Sequence, residues 1–187
     1  MHIGIDVRPL QLDAYRERGI GTHLRSWIEA AQHLDFEHRV SLLFDPALPA
    51  PQVNMQPGRW KLQPIVLPFS PPHLAPTSLH IDRDDEFLFD SALEAFLLEQ
   101  SIDLFHSTYA FMWETYAARR LLKTKWVVTV YDLIPLRFRE EYLDPLGDAG
   151  RLSFAQRLGG TVYAQRVQTL SSASRQDLLG VTGLPAG

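Results

Sequence analysis

The chain has 187 residues, 45% hydrophobic and 11% aromatic, enough to close one sizeable core in a single domain spanning 1–187. Its formal charge of -4, from 18 Lys and Arg against 22 Asp and Glu, is not the basic footprint of a nucleic-acid binder. With no cysteine there is no disulfide framework or thiolate metal site, and no apolar run approaches the ~20 residues of a membrane span.

The amino terminus enters a strand at once, on Ile3 and Ile5, without the charged, apolar and small-residue zones of a signal peptide, which reads as a cytoplasmic chain. Ile20, Leu24, Trp27, Ile28 and Ala31 then recur with the period of an amphipathic helix. A strand follows at 39–44, "RVSLLF". Residues 45–76 are proline-rich, interrupted at 60–68 by a third strand whose Pro64 argues for an edge position. Asp84 or Asp85 starts a helix through Gln100, with a wide apolar face of Leu88, Phe89, Ala92, Leu93, Phe96 and Leu97. The pattern next predicts a strand at 103–107, a helix at 114–122 and a strand from 125 that is apolar on both faces, as a central parallel strand is. A loop runs to Gly147. A helical pattern at 149–165, weakened by Gly159 and Gly160, leads to a last strand at 167–172. A final helix starts near Ser174, where Ser174 to Asp177 has capping-box spacing and Gly180 and Gly183 are stop signals. Strands alternating with helices imply an α/β fold, doubly wound around a mostly parallel sheet with right-handed crossovers.

Ligands of such sheets bind beyond the carboxyl ends of the strands. That rule selects Asp6 and Arg8 after the first strand, the Gly19-Ile20-Gly21-Thr22 turn, His106-Ser107-Thr108-Tyr109, Tyr131-Asp132 and Ser171-Ser172. The glycine turn opens a helix and presents backbone N–H groups to an anion, or else is plain turn chemistry; it is neither a Gly-x-Gly-x-x-Gly fingerprint nor a P-loop. His106 is a sugar-hydroxyl partner or proton carrier, or a satisfied structural histidine. Asp132 either accepts from an acceptor hydroxyl or caps the turn of Leu133, Ile134 and Pro135. Phe111-Met112-Trp113 reads as core before it reads as a stacking platform, and Arg119, Arg120, Lys123 and Lys125 as a solvated helix end. The 7 histidines form neither His-x-x-x-His nor His-Glu-x-x-His, so no metal is predicted.

The ordered blocks "IDVRPL", "RGIGTHL", "DLFHSTY", "VVTVYDLIPL" and "TLSSASRQDLLGVTGLP" resemble, over nearly the whole chain, the amino-terminal domain of retaining glycosyltransferases of family 4, which have the two-domain GT-B architecture. The resemblance implies a Rossmann-like acceptor-side domain. Gly19, Ile20, Gly21 and Thr22 would approach the donor diphosphate, His106, Tyr131 and Asp132 would serve the transfer, and Asp6, Arg8, Ser107 and Tyr109 would face the acceptor. The partners implied are a nucleotide-sugar co-substrate, a glycan or lipid-linked acceptor with peripheral association at the inner membrane face, and the donor-binding carboxyl-terminal domain, which these residues do not include. No cofactor is implied. Family members commonly carry a histidine where this chain has Tyr131, and the Glu86 to Glu94 spacing lacks the flanks of the family's donor-site motif. The competing expectation is a free-standing nucleotide-binding or regulatory module of flavodoxin-like shape, without transfer chemistry.

Overall fold

A computed structural model describes residues 1–35, 37–56, 58–67, 83–112 and 117–185. Six strands, β1 (His2–Asp6), β2 (Arg39–Phe44), β3 (Trp60–Pro64), β4 (Leu104–Ser107), β5 (Lys125–Val130) and β6 (Arg166–Thr169), form one sheet in the order β3-β2-β1-β4-β5-β6. All five pairings are parallel. The helices are α1 (Asp13–Arg16), α2 (Gly19–Ala31), α3 (Arg83–Glu99), α4 (Ile134–Arg137), α5 (Arg139–Tyr142), α6 (Gly147–Gly160) and α7 (Ser172–Thr182). This is a mixed α/β fold with a Rossmann-like arrangement.

Successive side chains on a strand point to opposite faces, and β2 shows both. Leu42 joins Ile5, Val7, Leu24 and Ile28 in a cluster under α2. Its neighbour Leu43 joins a larger cluster that takes Phe89, Leu93 and Leu97 from α3 and Phe154 and Leu158 from α6. The sheet is therefore covered on both faces, which is why β5 buries Trp126, Val128 and Val130 on one face and Thr129 on the other. Pro64 closes edge strand β3, and the ladder continues past it through the Ile65 N–H to the Phe44 carbonyl at 2.8 Å.

Four expectations are corrected. Residues 117–122 are not helical. Two of their backbone N–H groups and the two that follow are taken by carboxylates of α3: Asp90 accepts from Arg119, and Glu94 accepts from Leu122, Lys123 and Thr124 at 2.6 to 3.0 Å. The basic residues of that stretch consequently sit at no helix end; Arg119 lies 3.5 Å from Asp90, and Arg120 stacks 4.7 Å over the Tyr163 ring. Residues 113–116, including Trp113, and 68–82, which take in the last part of the proline-rich segment, lie outside the described residues. Second, the last strand ends at Thr169 and the cap of α7 is Ser171, whose Oγ accepts from the Ser174 N–H at 3.1 Å. Ser174 instead donates its hydroxyl to the Tyr131 carbonyl at 2.8 Å, tying α7 to the end of β5. Third, Gly180 lies within α7 and only Gly183, at φ 68°, ends it. Fourth, the loop leading to Gly147 is built from the short turns α4 and α5 and a 3-10 turn at Asp144–Leu146.

Candidate functional site

The strand order reverses between β1 and β4, so the crevice lies at their carboxyl ends. Thr108 clips the two strand ends together there, donating its hydroxyl to the Asp6 carbonyl at 2.6 Å. Asp6 and Arg8 spend their charges on each other: Arg8 Nε and Nη2 donate to the two carboxylate oxygens at 2.9 and 2.7 Å, with 0% and 2% of the residues exposed. The guanidinium also lies 5.4 Å from the Phe89 ring centre. Ser107 is fully buried, and among the described residues no hydrogen bond reaches its Oγ.

His106 is buried against the α2 side of the sheet. Its Nε2 pairs with the Thr129 hydroxyl at 2.8 Å, and the Trp27 indole meets it edge-on at 5.6 Å. Burial pulls this imidazole down to about 4, opposed by the Asp6 carboxylate, so at neutral pH it is uncharged. It can accept or donate a hydrogen bond but does not carry a cation.

The glycine turn divides in two. A Cβ on Gly21 would collide with the carbonyl oxygen of Arg16 and lie 2.6 Å from that of Tyr15, so glycine is needed there to let α2 lie against α1. Among the described residues a Cβ on Gly19 would meet nothing within 4 Å. Gly19 therefore has room for a ligand, and Gly21 has a packing duty. The Thr22 N–H already bonds the Arg18 carbonyl at 3.0 Å.

Tyr131 joins this turn to the end of β5. Its phenolic oxygen lies 3.1 Å from His23 Nδ1 and donates to the Ile20 carbonyl at 3.4 Å. Its ring is edge-on to His23 at 5.5 Å and to Tyr109 at 5.8 Å, and Tyr109 is edge-on to Tyr15 at 5.1 Å. Burial pushes the Tyr131 phenol up to about 12, so it is a fixed donor and no base near neutrality. Asp132, exposed beside it, accepts from the Ile134 N–H at 3.0 Å and so does cap the following turn. Ser171 caps α7.

Comparison with protein-family models and with curated proteins finds no match to the chain. The site thus stands on its geometry.

The fold brings Gly19, Ile20, Gly21, Tyr109 and Tyr131 to one rim, with His106 just beneath it. Asp6, Arg8 and Ser107 lie under that rim, closed off from solvent. Three contributors were not among the candidate site residues: His23, Trp27 and Thr129. Trp27 belongs to the apolar stripe of α2 and His23 lies one turn before it on the same face, and that spacing on the helix was the signal that could have found them. Phe111 and Met112 are core, Phe111 stacking on Phe154 at 4.7 Å. Among the described residues no group of three or more His, Asp or Glu could hold a metal ion, and no helix is long and apolar enough to cross a membrane.

Proposed function

We propose that this chain is the acceptor-side half of a retaining GT-B glycosyltransferase, moving a sugar from a nucleotide-sugar donor to a glycan or lipid-linked acceptor. The observation that carries the reading is the rim itself: an all-parallel sheet in the order β3-β2-β1-β4-β5-β6 sets the open backbone of Gly19 beside Tyr131 and His23, at the ends of the very strands whose motifs carry the resemblance. On this reading the donor nucleotide is held mainly by a second α/β domain outside these residues, and the α2 turn faces its diphosphate across a cleft. Transfer then proceeds by positioning. Backbone N–H groups at the start of α2 favour the charge that develops on the leaving diphosphate. Rim hydroxyl and imidazole groups hold the acceptor hydroxyl near the anomeric carbon, and a donor phosphate oxygen takes the acceptor proton. Asp132, already turned into its own backbone, keeps one carboxylate oxygen without a partner among the described residues for a sugar hydroxyl.

Titration calorimetry with UDP, GDP and ADP tests this reading. The chain by itself should bind all three weakly, and mixed with nucleotide sugars and acceptors it should show no turnover above buffer. Micromolar binding of one nucleoside diphosphate would overturn the reading in favour of a nucleotide-binding module, and turnover by the isolated chain would overturn the division into halves.

A further inference from the structure

Three groups in a row connect β5 to α2: the His23 imidazole, the Tyr131 phenol and the Ile20 carbonyl, with separations of 3.1 and 3.4 Å. A phenol has one proton to give, and burial holds it on Tyr131 up to about 12. With that proton directed to Ile20, the contact to His23 is made only if Nδ1 carries a hydrogen and donates it to the phenolic oxygen. Both contacts are then satisfied together. The opposite tautomer would draw the phenolic proton to Nδ1 and leave the carbonyl contact without a hydrogen. A neutral imidazole carries hydrogen on one nitrogen only, and the bond made by one nitrogen sets the state of the other. Fixing Nδ1–H therefore leaves a lone pair on Nε2. His23 is half-buried, its ring is held edge-on to Tyr131 at 90°, and no hydrogen bond reaches Nε2 among the described residues. One turn further along α2, Trp27 walls the same face and packs on His106.

We propose that His23 is a hydroxyl-binding residue of the rim, its Nε2 accepting a hydrogen bond from a hydroxyl of a polyol ligand, and that Tyr131 is the positioning residue that fixes its tautomer. The identity of that polyol as a sugar acceptor rests on the glycosyltransferase reading; the tautomer does not. No bond is made or broken in this step, and the ligand keeps its proton.

Long-range proton–nitrogen NMR correlation on histidine-labelled protein reads which ring nitrogen carries hydrogen. The expected result is the Nδ1–H form for His23, reverting to the Nε2–H form that free imidazole prefers in Tyr131→Phe. Methyl α-glucoside, methyl α-mannoside and methyl β-galactoside at millimolar concentration serve as hydroxyl probes; at least one should shift the His23 Nε2 resonance without moving the hydrogen, and His23→Ala should abolish the response of neighbouring amides. An Nε2–H tautomer in the wild-type protein overturns the inference, and so does a His23 resonance that none of the three probes moves. The wild-type spectrum carries the tautomer test by itself should Tyr131→Phe fail to fold. Micromolar nucleotide binding would overturn the transferase reading and leave the tautomer result standing, so the two failures are distinct.

Discussion

Each end of the sheet holds a histidine in a polar setting, and the two are used differently. At the amino end, His2 is spent: Nε2 pairs with the Ser41 hydroxyl at 2.8 Å, while Nδ1 lies 3.2 Å from the Gln100 and Ser101 carbonyls and 3.1 Å from Arg39 Nη2. Its backbone N–H goes to Asp103 at 2.7 Å. At the carboxyl end, among the described residues, His106 and His23 each show a hydrogen bond at one ring nitrogen, and Ser107 Oγ has none. A buried polar group without a partner costs roughly 1–3 kcal/mol, so capacity left open around the crevice is where a ligand gains most. A polar cluster at the foot of a strand is scaffold when every atom is engaged.

The largest test falls on the buried Asp6 and Arg8 pair at the carboxyl end. Asp6→Asn removes the carboxylate charge that meets Arg8 Nε and Nη2 in the buried pair, and urea unfolding should show a loss of about 3–5 kcal/mol. A tolerated Asp6→Asn would break the comparison, since the pair would then belong to the site and not to the scaffold.

Acid should come next. His106 titrates at about 4 when folded against 6.5 when free, so the unfolded chain takes the proton first. Its contribution is complete above 6.5 and is lost as pH falls toward about 4, on the order of 3 kcal/mol in all. Burial lowers His2 as well, adding a loss of the same sign. Denaturant midpoints measured across that range should decline, and His106→Gln should flatten the decline.

Gly21→Ala should cost about 1–3 kcal/mol, because backbone carbonyls meet the new methyl group. Ser41→Ala should cost about 1–2 kcal/mol by stripping His2 Nε2 of its partner, with rim resonances unmoved. The smallest effect belongs to Gly19→Ala, within about 0.5 kcal/mol in stability. If the open space at Gly19 serves an anion, that variant weakens the response to pyrophosphate without moving the unfolding midpoint, and an unchanged response would leave Gly19 as plain turn chemistry with no anion to hold.

Periodicity made much of the fold legible. The strand at 39–44 was found as Arg39–Phe44, the helix carrying Ile20 to Ala31 as Gly19–Ala31, and the helix through Gln100 as Arg83–Glu99. Residues 117–122 misled because their helical pattern is local, whereas Asp90 and Glu94 reach in from α3 and claim the N–H groups a helix would use. The rim was legible only in part. Tyr131 and Gly19 sit at strand and helix ends that spacing can place, but His23 meets Tyr131 across 108 positions of chain, and no short motif spans that distance.

By itself the sequence determined the alternation of strands and helices, the edge placement of Pro64 and the burial of β5 on both faces, because each follows from the backbone geometry of a few consecutive residues. Only the tertiary structure decided that Gly21 is held by packing while Gly19 stands open, that Asp6 and Arg8 neutralise one another, and that Tyr131 orients His23. Those outcomes depend on approach between segments far apart in the chain, and it is their distances that separate spent hydrogen-bonding capacity from capacity a ligand can use.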